Sequence, residues 1–168
     1  MDDSEIEQKS WDIVRTYLEG ATPQQWHLFA AGSNYDSNTK ALHWLIDNPA
    51  IDRATALVAY WSLGAPWYVQ YASGHDLPDG SAELETFQLL RLIEQRFADG
   101  YYTNHGIWFD PHHWHGPGPD SYPDVPVARA IPEIMLRPAD GSEYVDLESP
   151  DGYDEGLPID IVEQLHSL

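Results

Sequence analysis

Residues 52–64 read Asp-Arg-Ala-Thr-Ala-Leu-Val-Ala-Tyr-Trp-Ser-Leu-Gly, and the fold class can be inferred from this segment outward. Asp52 is of a residue type that caps helix N-termini, and Gly64 is of a type that ends helices. Between them, apolar side chains occur at helical spacing and leave little polar surface. This pattern predicts a helix that is mostly buried.

Amphipathic patterns on both sides of this stretch predict further helices. Those before it cover residues 4–19, 23–32 and the segment between Asn38 and Asn48, and those after it cover 66–71, 81–99 and 158–168. Thr22-Pro23-Gln24-Gln25 has the form of a capping box with proline at the first helical position. After Gly100 the helical periodicity largely disappears, and most of the prolines follow.

The chain is therefore predicted to be mainly α, with a helical, bundle-like N-terminal two-thirds and a loop-rich C-terminal third. We expect one domain over residues 1–168, in which 1–100 form the helical core and 101–168 a Pro/Gly-rich extension packed on it. In this extension, Ile134–Leu136 and Tyr144–Leu147 flank an Asp140-Gly141 turn. They are candidates for the two strands of a small β-hairpin.

Net charge restricts the classes of partner. The chain has 8 Lys and Arg against 28 Asp and Glu, so its formal net charge is 8 − 28 = −20. A field of this sign repels phosphate backbones and anionic lipids, so we expect neither nucleic-acid nor membrane binding. A basic protein partner is favoured, although solubility alone also explains such acidity.

Two further features concern the compartment. The chain contains no cysteine, which excludes disulfides, thiol nucleophiles and cysteine-based zinc sites. The first residues are acidic and polar, unlike a signal peptide, and no apolar stretch is long enough to cross a membrane. We expect the cytoplasm as the localisation.

The segment Asp110-Pro111-His112-His113-Trp114-His115 is the best candidate for a metal site. Three imidazoles and a carboxylate on one short loop are suitable ligands for zinc, nickel or copper. Neighbouring histidines need not converge, so a second element, such as His75 or His105, would have to contribute. A small metal-dependent enzyme using Asp110, His112, His113 and His115 is therefore one alternative; otherwise no cofactor is expected.

The catalytic motifs of known enzyme classes are absent. The sequence has no nucleophile elbow for a Ser-His-Asp triad, no Gly-rich phosphate loop and no dinucleotide fingerprint. Asp36, Asp47, Asp52 and Glu94 lie in or beside aromatic-rich segments, where burial would raise a carboxyl pKa. Helix capping explains Asp36 and Asp52 equally well. No catalytic residue is assigned, and a non-enzymatic protein is favoured.

Aromatic residues offer another kind of site. The chain has seven Trp and ten Tyr residues, and most of them are expected in the core. An exposed subset, above all in the loop that contains Trp108 and Trp114, would form an interaction surface because Trp and Tyr dominate binding hot spots.

Several short motifs lie along the middle of the chain: Asn34-Tyr35-Asp36, Leu42–Ile46 with Asn48-Pro49, Asp52, Thr55-Ala56-Leu57, Tyr60-Trp61, and more faintly Glu94 with Gly100-Tyr101-Tyr102. With them, residues 24–110 resemble an uncharacterised bacterial domain family of short stand-alone proteins. The family usually has Trp where Tyr35 stands. The resemblance implies no activity, and it implies an immunity role only by association with genes beside secreted toxins.

The favoured hypothesis is a non-enzymatic acidic binding protein, an immunity-like inhibitor of a basic bacterial toxin or effector. Its predicted binding residues are Asn34, Tyr35, Asp36, Asp52, Trp108, Asp110 and Trp114. The alternatives are the metal-dependent enzyme and a housekeeping protein-interaction domain.

Overall fold

The computed structural model describes residues 1–148 and 150–168. Its helices are α1 (Asp3–Gly20), α2 (Pro23–Gly32), α3 (Thr39–Asp47), α4 (Arg53–Ser62), α5 (Ala65–Tyr68), a 3-10 helix (Gly74–Asp76), α6 (Glu83–Ala98), α7 (Glu133–Leu136) and α8 (Ile159–His166). Its strands are β1 (Ile107–Trp108), β2 (Glu143–Tyr144), β3 (Tyr153–Asp154) and β4 (Leu157–Pro158). The prediction of a mainly α fold with a loop-rich C-terminal third is confirmed, and the strands described are all short and lie in that third.

Helix α4 lies at the centre of the molecule. Every residue from Ala54 to Trp61 is buried, and helices α2, α3 and α6 all contact it. Small side chains at Ala56 and Ala59 allow close approach of these neighbours, and Leu57 and Trp61 fill the space between them. Burying a side chain such as Leu57 stabilises the fold by about 1.5–3 kcal/mol.

Strands β3 and β4 form a hairpin that packs on helix α2. Its two-residue turn has positive φ at both positions, 47° at Glu155 and 80° at Gly156, as a type I′ turn requires. A Cβ atom on Gly156 would lie 2.8 Å from the Cα of Phe29, and one on Gly32 would lie 2.6 Å from the Gly156 nitrogen. The two glycines therefore allow the hairpin turn and the helix to meet backbone against backbone.

The hairpin predicted from Ile134–Leu136 and Tyr144–Leu147 is wrong in its strands. Ile134–Leu136 lies in α7, where Met135 is fully buried and its N–H donates to the carbonyl of Pro132. Strand β2 instead pairs in parallel with β1, with Ile107 opposite Glu143. Because α7 makes its backbone hydrogen bonds locally, Ile134–Leu136 does not pair with β2. The partner of β2 is β1, which lies far from it in the chain.

None of the helices in residues 1–148 and 150–168 combines the length and the apolar character that crossing a membrane demands.

Candidate functional site

Asp52 links the start of α4 to the chain that leads into β1. Its Oδ1 accepts the N–H of Ala54 at 2.7 Å, as the predicted N-cap does, and its Oδ2 accepts the N–H of His105 at 2.6 Å and that of Ile107 at 3.4 Å. The residue is completely buried. Asp52 is therefore a structural carboxylate, and its burial does not fit a role in contacting a partner.

A second buried carboxylate, Glu94, joins α6 to α4 and to the extension. It accepts the hydroxyl of Tyr60 at 2.6 Å, and its oxygens lie 2.9 Å from the guanidinium groups of Arg91 and Arg129. Burial raises the pKa of Tyr60 far above its ordinary value, and the Glu94 charge raises it further. Every strong partner of Glu94 is thus a donor from this chain, which is the arrangement of a structural ion cluster.

His27 faces the same core from α2. Its Nδ1 lies 2.9 Å from the hydroxyl oxygen of Thr55, its ring meets the Phe109 ring edge-on, and the residue is fully buried. Burial lowers the pKa of His27 to about 4, so the ring is neutral at physiological pH. Within the described residues its Nε2 has no hydrogen-bond partner. Sequence reasoning missed this histidine, although the apolar residues around it, Trp26 and Leu28–Ala31, were a signal of burial.

The Asn34-Tyr35-Asp36 motif forms the turn between α2 and α3. The side-chain oxygen of Asn34 accepts the N–H of Asp36 at 3.0 Å, and the Tyr35 hydroxyl donates to the carbonyl of Ala30 at 2.6 Å. Asn34 and Asp36 are exposed, whereas Tyr35 is partly buried against the core. The motif therefore sets the chain direction and leaves Asn34 and Asp36 accessible from outside.

In the histidine loop, Asp110 binds its own neighbours. It accepts the N–H of His112 at 2.9 Å and bonds to the Nδ1 atoms of His113 and His112 at 2.8 and 3.3 Å. Burial raises the pKa of the Asp110 carboxyl, but these hydrogen bonds outweigh burial and leave it below the ordinary value. Asp110 thereby orders the loop.

The other histidines do not complete a metal site with this loop. His115 packs edge-on against Trp114, the ring of His105 bonds to the carbonyl of Ala50, and His75 lies in the 3-10 helix near α6. Across residues 1–148 and 150–168, no three His, Asp or Glu side chains are arranged to hold a metal ion. Metal binding by Asp110, His112, His113 and His115 stays a prediction.

The two tryptophans predicted as binding residues have different surroundings. The ring of Trp114 packs edge-on against the buried ring of Phe109, and its indole N–H donates to the carbonyl of Pro117. Trp108 lies in β1, where its ring contacts that of Tyr144 from β2 at 5.9 Å between centroids. Tyr144 is 68% exposed. The sequence singled out Trp108, but the exposed partner Tyr144 was missed because the β1–β2 pairing joins segments 36 positions apart.

The structure divides the predicted binding residues between two places and the interior. Asn34, Tyr35 and Asp36 are held by the α2–α3 turn, whereas Trp108, Asp110 and Trp114 follow from β1 and the loop after it. Asp52 lies inside, at the start of α4. Trp108 combines an incompletely buried ring with the exposed ring of Tyr144.

The comparisons with known proteins concern the helical part of the chain. Residues 21–98 match the family model described as Domain of unknown function (DUF4274). Neither the comparison with curated proteins nor that with solved structures produced a match. The matched range begins at the cap of α2 and ends with α6, so it includes Asp52 and Glu94 but not Trp108 or the extension. The match confirms the resemblance to an uncharacterised domain family over residues 21–98, which make up somewhat less than half of the chain.

Proposed function

We propose that this chain is a non-enzymatic acidic binding protein, an immunity-like inhibitor that covers the basic active site of a bacterial toxin or effector in the cytoplasm. The observation that carries the proposal is the meeting of two cation-free segments at strands β1 and β2, beside the half-buried ring of Trp108 and the exposed ring of Tyr144.

These segments are residues 97–128 and 138–168, and neither contains Lys or Arg. The first contains four Asp or Glu residues and the second nine. The parallel pairing of β1 with β2 brings residues 107–108 of the first segment beside residues 143–144 of the second, and the Phe109–Ala139 bridge lies next to them. The carboxylates around these strands, Asp110, Asp140, Glu143 and Glu148, therefore lie in one part of the surface, where their charges reinforce one another. We call this part the acidic face.

The positive charges elsewhere in the chain are largely occupied. Within residues 1–148 and 150–168, six of the eight Lys and Arg side chains form salt bridges with carboxylates, as in the pairs Arg96–Asp47 and Arg137–Glu133. Such pairs cancel locally and leave the excess of carboxylates to determine the field at a distance. A basic partner would therefore be attracted over several ångströms before contact.

Trp108 and Tyr144 would provide the contact energy within the acidic face. Tyr144 projects from β2 beside Trp108, and Glu143 next to it is held by Gln24, whose Nε2 lies 3.0 Å from one carboxylate oxygen. Exposed aromatic side chains on a fixed backbone lose little entropy on binding and often act as hot spots. A nuclease-like target suits this surface because its basic cleft would accept carboxylates in place of phosphates.

The test is co-purification of the tagged protein from a bacterial host at low and high salt, followed by mass spectrometry and an activity assay of the captured partner. We expect a stoichiometric basic partner that is retained less as salt rises and whose toxic activity the protein inhibits. Tyr144→Ala should weaken the complex by roughly thirtyfold if this residue is a hot spot.

Charge variants separate local contact from general attraction. Glu148→Lys changes the acidic face, and Asp79→Lys makes the same charge change near the 3-10 helix. Glu148→Lys should reduce affinity more than its matched control. Equal effects of the two variants, or a partner whose activity is unchanged in the complex, would contradict the proposal.

A further inference from the structure

A separate cleft lies at the far end of α4, where it leads into α5. It has a volume of about 360 Å³ and is lined by Leu63, Gly64, Trp67, Tyr68, Glu83 and Tyr122. The rings of Trp67 and Tyr122 meet at 64° with centroids 5.5 Å apart, so they form two walls of a corner. Among the described residues that line the cleft, Glu83 alone is charged.

Tyr122 adopts an unusual backbone conformation at this corner. Its φ is 54°, in the left-handed region that a bulky residue rarely occupies, and its side chain is 52% exposed. An exposed tyrosine held in an unfavourable conformation points to a use beyond packing. Burial raises the pKa of the neighbouring Tyr68 hydroxyl, and the Glu83 carboxylate raises it further, so this carboxylate acts on the cleft.

The chain binds two of its own arginines with a ring and a carboxylate. The guanidinium of Arg91 lies 4.6 Å from the centre of the Phe87 ring and bonds to Glu94. Arg96 lies 4.6 Å from the centre of the Tyr101 ring and bonds to Asp47 at 2.7 Å. A guanidinium suits this combination because it is weakly hydrated, stacks on aromatic faces and donates to both carboxylate oxygens.

The cleft repeats this combination with no arginine among the residues that line it. We propose that the Trp67–Tyr122 cleft binds an arginine side chain of a partner protein, with the guanidinium on the aromatic rings and its N–H groups donating to Glu83. The source of the arginine rests on the proposed function, since a basic partner supplies it. The chemistry of the cleft does not, because it can be measured without any partner.

The experiment titrates the protein with N-acetyl-arginine-methylamide and follows the indole N–H of Trp67 by two-dimensional NMR. We expect saturable shifts at Trp67, no shifts with the neutral citrulline analogue, and weaker binding of the lysine analogue, whose ammonium is more strongly hydrated. An affinity for the citrulline analogue equal to that for the arginine analogue would overturn an arginine site, and so would a higher affinity for the lysine analogue or for tetramethylammonium.

Variants identify the groups that bind. Tyr122→Phe keeps the ring and should bind as the wild type does, whereas Tyr122→Asn should bind about five- to tenfold more weakly. Asparagine tolerates the left-handed conformation, so this variant should remain folded, which thermal denaturation checks. Glu83→Gln should weaken binding, and its control Glu85→Gln, which alters the carboxylate paired with His43, should not. Unchanged affinity of Tyr122→Asn would refute the site.

The two proposals fail separately. Arginine binding at Trp67 without any captured partner would retain the cleft and reject the inhibitor function. A captured partner that binds wild type and Tyr122→Asn equally well, together with no shifts from the arginine probe, would retain the inhibitor function and reject the cleft.

Discussion

Replacing Asp52 with alanine removes two hydrogen bonds, the N-cap bond from Ala54 in α4 and the bond from His105 in the chain that leads into β1. Loss of the N-cap bond to Ala54 costs about 1 kcal/mol. The partly buried N–H of His105 loses its carboxylate acceptor, and leaving this donor unsatisfied costs about 1–3 kcal/mol. The 3.4 Å contact to Ile107 is too long to add much. We expect Asp52→Ala to lower the free energy of unfolding by about 2–4 kcal/mol. This is a large share of the free energy of unfolding of a typical native protein, about 5–15 kcal/mol.

Asp52→Asn distinguishes the contribution of the N-cap bond from that of the bond to His105. Its amide oxygen can still accept the N–H of Ala54, but its NH₂ group then faces the N–H of His105, donor against donor. We expect this variant to keep the cap and lose the loop contact, at a cost of about 1–3 kcal/mol. The matched control is Asp36→Ala, at an exposed position, which should change stability by no more than about 0.5 kcal/mol.

The assay is urea denaturation followed by tryptophan fluorescence, with amide hydrogen exchange at His105 and Ile107. Faster exchange at these two amides in both Asp52 variants, but not in Asp36→Ala, would locate the loss in the chain that enters β1. If Asp52→Ala unfolds at the same urea concentration as Asp36→Ala, the reasoning is refuted.

Three further predictions use the same denaturation assay. Glu94→Ala should cost about 3–5 kcal/mol because it leaves the buried Tyr60 hydroxyl and two arginines without their acceptor; an equally stable variant would show that the cluster contributes nothing. The pKa of His27 is about 4 in the folded protein and about 6.5 in the unfolded chain, so as pH falls the unfolded chain takes up the proton first. The free energy of unfolding should therefore fall by about 3 kcal/mol between pH 6.5 and pH 4. His27→Asn should lack this contribution, and identical pH profiles of wild type and variant would contradict the prediction. Gly156→Ala should lower stability more than Gly152→Ala, since both glycines have φ near 80° but only the first substitution places a Cβ against helix α2. Equal losses of stability in the two variants would mean that backbone strain alone accounts for the effect and that the contact with α2 adds nothing.

The helical part could be predicted because its signals are local. The capping box at Thr22–Gln25 forms as predicted, and so does the cap at Asp52. A helix makes its backbone bonds within four residues, so spacing and caps in the chain are sufficient to locate it. The predicted hairpin failed for the complementary reason, since the partner of β2 lies 36 residues earlier in β1.

The candidate sites were predictable only in part. Trp108 was identified because exposed tryptophans in loops are common hot spots, but Tyr144 and the corner formed by Trp67 and Tyr122 depend on which distant segments meet. The burial of Asp52 likewise changes its role, from a possible binding carboxylate to a structural one. Residue type alone does not distinguish these roles.

Periodicity and caps are properties of neighbouring residues, and net charge is a property of composition. The mainly α class, the positions of most helices and the charge of −20 could therefore be obtained without a structure. Long-range packing fixed which carboxylates are buried, that residues 107–108 and 143–144 of the two cation-free segments pair, and that the Trp67–Tyr122 cleft has rings and a carboxylate but no arginine in its described lining. These features depend on contacts between segments far apart in the chain, where loop closure costs entropy that the complete set of tertiary contacts must offset, so no pattern of neighbouring residues specifies them.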